Sequence, residues 1–141
     1  NADNQIDKNT PKASKNHHKM TFESLGLQKW LLTSLQALSL NKPTEIQAAC
    51  IPEIMNTKKN IVGVAQTGSG KTAAFALPIL DEWGRDPFGP FALVLTPTRE
   101  LAVQIEEQFC VFGKDGLVKT SLLIGGQDIV QQVTRLVQAK P

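Results

Sequence analysis

The chemistry of this chain is concentrated in eight residues, Ala65 to Thr72, which read AQTGSGKT. Their spacing is that of a loop that cradles phosphates, with Ala65 standing where the general pattern has Gly. Gly68 and Gly70 allow backbone conformations that a Cβ would forbid, so successive N–H groups can turn inward onto phosphate oxygens. A helix starting near Lys71 would add its positive dipole end. Lys71 would pair with the β and γ phosphates of a nucleoside triphosphate, and Thr72 would offer its hydroxyl to Mg²⁺. Ser69 sits at the crest and can add a contact. Ala65 asks only for a negative φ at that position. The plain alternative is a Gly-rich turn with Lys71 solvated, but a lysine at a helix N-terminus is unfavourable without an anion.

A second polar stretch, NKPTEIQ, ends at Gln47. Thr44 with Gln47 three residues on is a capping box that would start a helix after Pro43. The other reading puts the Gln47 amide against adenine, donating to N7 and accepting from N6, a pattern that guanine's two acceptors do not match. Phe22 also has two readings, an anchor for the first helix or a ring stacked on a base. His17 and His18 are adjacent in a polar segment and read as solvated surface. Cys50 and Cys110 lack metal-ligand spacing and fit a reducing compartment.

The elements that must position these residues follow from periodicity. Leu31, Leu35 and Leu38 recur at helical spacing, with Trp30 and Leu32 beside them. A second short helix is expected from Thr44, interrupted near Pro52. Three apolar runs follow, 61–65, 91–96 and 121–124, each leading into a helical pattern. The first of these helices is expected from about Lys71 to Glu82 with Pro78 inside. The second carries Leu101, Ile105, Phe109 and Phe112 on one stripe, and the third Ile129, Val133, Leu136 and Val137. Strands with little alternation between helices predict an α/β fold, a parallel sheet covered by helices on both faces. Such sheets bind ligands at the carboxyl ends of their strands. The three turns there, AQTGSGKT, TPTRELA and IGGQD, are all chemically unusual.

A chain of 141 residues with 41% hydrophobic content has room for one modest core. It holds no apolar run of eighteen residues, so no membrane association is expected, and no secretory signal is visible. An initial Asn in place of Met points to a trimmed or excerpted chain. The net charge of +2 lies in residues 1–19, where Lys8, Lys12, Lys15 and Lys19 outnumber Asp3 and Asp7; the remaining eleven basic and eleven acidic residues balance. A neutral globular part does not announce nucleic-acid binding by its field, so that claim must rest on a local site. Residues 1–19 are polar and expected to be disordered.

In fixed order, Phe22, NKPTEIQ, AQTGSGKT, PTRELA and Gly125-Gly126 resemble the first domain of a DEAD-box RNA helicase, in which the first loop position is often Ala. The likeness runs from about residue 21 to the end. It implies a RecA-like P-loop domain, incomplete at its C-terminal end, divided into a tail (1–19), a Q-motif region (20–48) and the ATP-binding portion (49–141). It implies that Phe22, Lys42, Thr44 and Gln47 hold adenine. Ala65, Gln66, Thr67, Gly68, Ser69, Gly70, Lys71 and Thr72 would hold ATP and Mg²⁺, with Lys71 and Thr72 catalytic and Thr72 the metal ligand. Pro97, Thr98, Arg99, Gly125 and Gly126 would meet the RNA backbone without reading its sequence. The last set has its own physical sense, since Thr98 can cap a helix whose free N–H groups and Arg99 converge where a phosphate could bind. Without the resemblance, both turns read as ordinary strand-to-helix turns.

LGLQKWLL, AACIPEI and DPFGPFALVLTPTRELA resemble a nucleolar branch that acts in small-subunit ribosome assembly. This implies a nuclear, nucleolar location, with the cytoplasm as alternative, pre-ribosomal protein partners, and a monomer. No Asp-Glu-Ala-Asp occurs, so these 141 residues alone are expected to bind ATP weakly and not to hydrolyse it. Two other readings stand beside this one: a non-enzymatic module that binds RNA or ATP, and an unrelated phosphate-loop enzyme.

Overall fold

Leu31 and Leu35, one helical turn apart, are fully enclosed and form the centre of the first helix, α1 (Lys29–Ala37). The computed structural model describes residues 20–57 and 59–139; the expected tail, 1–19, with His17 and His18, lies outside the described residues. A 3-10 turn, Glu23–Leu25, precedes α1 and ends on Gly26 in the left-handed region. The other α-helices are α2 (Glu45–Thr57), α3 (Lys71–Arg85), α4 (Arg99–Phe112) and α5 (Ile129–Ala139).

The helix expected to break near Pro52 instead runs through it. An interior proline loses one backbone hydrogen bond and costs about 3 kcal/mol. Ile51 and Cys50, beside it, are buried, and α2 packs along α3. Burying aliphatic side chains contributes about 1.5–3 kcal/mol each, enough to offset the break. The same logic keeps Pro78 inside α3, which extends past Glu82 to Arg85.

Ala73, Ala76, Leu77 and Leu80 of α3 pack with Leu31, Leu35 and Ile51 in the core. Phe75 meets Phe109 at a ring-centroid distance of 6.2 Å and joins α3 to α4. Of the stripe expected on α4, Ile105, Phe109 and Phe112 are buried; Leu101 is exposed.

The deepest polar group is Asp81, 1% exposed. Its Oδ1 accepts from the Gln28 N–H at 2.6 Å, and its Oδ2 accepts from Arg85 Nε and Nη2 at 3.1 and 2.7 Å. Asp81 thereby ties the start of α1 to the end of α3. The hydrogen bond and charge of Asp81 raise the Arg85 guanidinium above its ordinary pKa. Asp81→Ala leaves the partly buried Gln28 N–H without its acceptor, and we expect a loss of about 2–4 kcal/mol in urea unfolding. Arg85→Ala, which removes the solvent-exposed partner of the pair, is expected to cost much less than Asp81→Ala in the same measurement.

The three apolar runs differ from expectation. No described residue belongs to a β-ladder. Val62, Val64, Leu93 and Leu95 are 81–90% exposed, and Ile129, Val133 and Val137 of α5 are exposed as well. A parallel strand is held by hydrogen bonds to a neighbour and by helices on both faces. Among the described residues these runs meet no such neighbour, whereas the helices complete their own hydrogen bonds.

Candidate functional site

The phosphate-type loop leads directly into α3. Gly68 and Gly70 stand at φ +79° and +87°, the left-handed region that favours glycine. Gly70 occupies the N-cap position of α3 and has no side chain to cap the helix, so the first-turn N–H groups have no capping partner. Lys71 Nζ folds back over the loop and donates to the carbonyls of Ala65 and Gln66 at 2.5 and 2.8 Å. Ser69 Oγ is buried without a hydrogen-bond partner. Uncapped N–H groups, a cation and an unpaired hydroxyl in one loop form an anion cradle, and they fit a triphosphate. Thr72, half-buried, follows in the first turn of α3; Thr67 is exposed.

Gln47 joins this loop to α2. Its Oε1 accepts from the Thr44 N–H at 3.0 Å, one half of the expected capping box, while the Thr44 carbonyl accepts from Ala48 N–H at 2.8 Å. Its Nε2 donates to the Gly70 carbonyl at 3.1 Å. The second bond crosses 23 residues of sequence, and nothing in the local spacing announces it. A carboxamide has two N–H groups and two lone pairs. One donor and one acceptor therefore remain on Gln47, so the capping contact and an adenine contact are compatible. Phe22 is 5% exposed and lies in the core with Leu25 and Leu31, which are the contacts of the anchoring reading. Lys42 is exposed and makes no hydrogen bond among the described residues.

The second pole is at the start of α4. Thr98, with extended backbone, caps the helix by accepting from the Leu101 N–H at 3.3 Å. Pro97 and Arg99 beside it are exposed. The Arg99 guanidinium lies over the Gly125-Gly126 turn: a Cβ on Gly126 would stand 2.9 Å from both Nη1 and Nη2. Gly126 is at φ +84°. The fold thus brings together two turns that lie 26 residues apart, and it leaves Arg99 without an acidic partner among the described residues.

Two residues of this pole were missed from sequence. Asp128 caps α5, its Oδ1 accepting from the Val130 N–H at 2.8 Å; an Asp before an apolar-periodic run is a readable helix start. Gln132 is buried and bonded to the main chain around the Gly-Gly turn. It has no local signature.

The model of the DEAD/DEAH box helicase family matches residues 44–141. The ATP-dependent RNA helicase DBP8 of Candida albicans is 52% identical over 122 residues, covering 86% of this chain and 27% of that protein. DBP8 of Saccharomyces cerevisiae is 53% identical over 120 residues, covering 85% of this chain and 27% of that protein. Among solved structures, the RNA helicase Prp28 from Chaetomium thermophilum bound to ADP superposes with a TM-score of 0.73 at 38% identity, covering 84% of this chain and 30% of Prp28. A DEAD box protein from Methanococcus jannaschii gives 0.73 at 36% identity, covering 83% of this chain and 32% of that one. The chain spans about a quarter of the length of the curated relatives it matches. It shares the RecA-like α/β fold of these structures, the fold class expected from its sequence, although none of its described residues forms a β-ladder.

Proposed function

The chain belongs to the DEAD/DEAH box helicase family, and on that premise we propose that it is the nucleotide-holding part of an ATP-dependent RNA helicase, which couples ATP hydrolysis to local unwinding or remodelling of RNA. The observation that carries this reading is the cradle at 68–72, where an uncapped helix start, Lys71 and the unpaired Ser69 hydroxyl lie in one loop.

In this reading the N–H groups of Ala65 to Thr72, with Ser69 Oγ, bind the phosphates. Lys71 leaves the Ala65 and Gln66 carbonyls to pair with the terminal phosphates, a charge-assisted contact about twice as strong as a neutral one. Thr72 holds Mg²⁺, which when bound neutralises charge on the terminal phosphates. Gln47, supported by Thr44, selects adenine; Phe22 and Lys42 complete that side. Thr98, Arg99 and the Gly125-Gly126 turn, with Pro97 setting the chain direction, bind RNA phosphate. Contacts of that kind position a strand without reading its bases.

The resemblance of LGLQKWLL and DPFGPFALVLTPTRELA to a nucleolar branch supports a monomer acting with pre-ribosomal proteins in the nucleolus. Fluorescence imaging of the tagged full-length protein tests the location; a uniformly cytoplasmic signal contradicts it.

The decisive experiment for the activity is steady-state ATP hydrolysis by the full-length protein with and without single-stranded RNA. Stimulation by RNA is expected; equal rates would contradict the reading. Gln47→Ala should raise the Kd of a fluorescent adenine nucleotide about tenfold, the effect of losing a buried amide contact. It should also erase the preference for ATP over GTP. An unrelated phosphate-loop enzyme predicts unchanged nucleotide affinity in that variant.

A further inference from the structure

Gln132 is a buried amide that neither the phosphate loop nor the adenine-side contacts employ. The residue is 7% exposed. Its Oε1 accepts from the Ile124 N–H at 2.7 Å, and its Nε2 donates to the Ile124 carbonyl at 3.1 Å and to the Gln127 carbonyl at 3.4 Å. One carboxamide thus serves both main-chain groups of the residue before Gly125-Gly126 and the carbonyl of the residue after it. A neighbouring strand would offer a donor and an acceptor side by side in the same way.

The turn so bracketed has little else to hold it. Two glycines in tandem have the largest backbone freedom to lose. Gly126 carries the Arg99 guanidinium directly above it, at 2.9 Å from the place of a Cβ. A movement of the turn therefore displaces the surface on which Arg99 rests.

We infer that Gln132 is a positioning residue for the RNA-backbone contact: by bracketing the Gly125-Gly126 turn, its carboxamide sets the place where that turn and Arg99 together meet an RNA phosphate. This rests on the reading of Arg99, Gly125 and Gly126 as RNA contacts. The position demands both a donor and an acceptor on one side chain. Gln132→Glu keeps the acceptor for Ile124 N–H but turns a carboxylate toward two carbonyl oxygens. Gln132→Leu keeps the volume and offers neither group.

The test uses the full-length protein with Gln132→Glu, Gln132→Leu, Arg99→Ala, and Arg99→Ala combined with each Gln132 variant. Binding of a fluorescein-labelled oligouridylate is followed by anisotropy with a non-hydrolysable ATP analogue present, and binding of a fluorescent ADP without RNA. Each Gln132 variant is expected to weaken RNA binding about tenfold, the loss of a buried hydrogen-bonded amide, with the ADP Kd unchanged within about twofold. In the Arg99→Ala background the same substitution should add less than about twofold, because both act through one contact.

A merely structural role predicts a different pattern: RNA and ADP binding fall together, and the Gln132 and Arg99 losses add. That pattern overturns the inference. So does unchanged RNA affinity in the Gln132 variants while Arg99→Ala weakens it. Should Arg99→Ala itself leave RNA affinity unchanged, the RNA-contact reading fails and this inference with it. The near-isosteric Gln132→Glu carries the same test if the leucine variant does not fold.

Discussion

Lys71→Ala in the full-length protein is expected to lower RNA-stimulated ATP turnover at least about a hundredfold, the usual consequence of removing a charge that stabilises the transferring phosphoryl group. Folding should be little affected. Among the described residues the Lys71 side chain bonds only to the Ala65 and Gln66 carbonyls, which remain able to bind water, so the change in unfolding free energy should stay within about 1 kcal/mol. The two readouts together separate a catalytic loss from a damaged fold. Turnover within a few-fold of wild type would sink the assignment of Lys71, whatever the stability.

Gly70→Ala should damage both the fold and the phosphate loop. At φ +87° the new Cβ would meet the Gln47 amide and lie 3.3 Å from Thr44 Oγ1. A left-handed backbone with a Cβ costs about 1–2 kcal/mol. Pushing the buried Gln47 amide off its Gly70 carbonyl adds about 1–3 kcal/mol. We expect a total of about 2–5 kcal/mol in chemical unfolding, and loss of measurable nucleotide binding. Gly68→Ala is the control. Its φ of +79° is equally left-handed, yet nothing lies within 4 Å of the added methyl, so only the backbone penalty of about 1–2 kcal/mol should appear. Equal destabilisation by the two variants would refute the contact between Gly70 and Gln47. A further check is the pair Gly70→Ala with Gln47→Ala, whose losses should not add because the second substitution removes the clash.

These expectations mark where sequence was enough. The loop, its glycines and the start of α3 are local: a left-handed residue, a helix N-terminus and the lysine after it all lie within a few bonds of one another. The same holds for Thr98 as the cap of α4 and for the apolar stripe that buries Ile105, Phe109 and Phe112. Asp128 is equally local, an N-cap two residues before the N–H it accepts.

The second role of Gln47 was not legible. Its spacing from Thr44 predicts the capping contact, which is present, but the partner at Gly70 depends on how α2 lies along α3. Phe22 illustrates the same limit. An aromatic ring before a helix can anchor or stack, and only the packing of Leu25, Leu31 and Leu35 around it shows the anchoring contacts. At Pro52 the local rule for helix breaking fails, because the burial of Ile51 in the core outweighs it.

By itself the sequence determined the identity of the phosphate cradle, the order of the helices and the family, since these reside in residue types at short, fixed spacings. Only the tertiary structure decided that Gln47 reaches Gly70, that Asp81 holds Gln28, and that Arg99 rests on Gly126 with Gln132 bracing the turn beneath it. The physical reason is the range of the forces that specify each. Capping and periodicity act within one or two helical turns, whereas these contacts join residues distant in sequence or bent back by a turn, and arise only when buried faces of several helices are satisfied together.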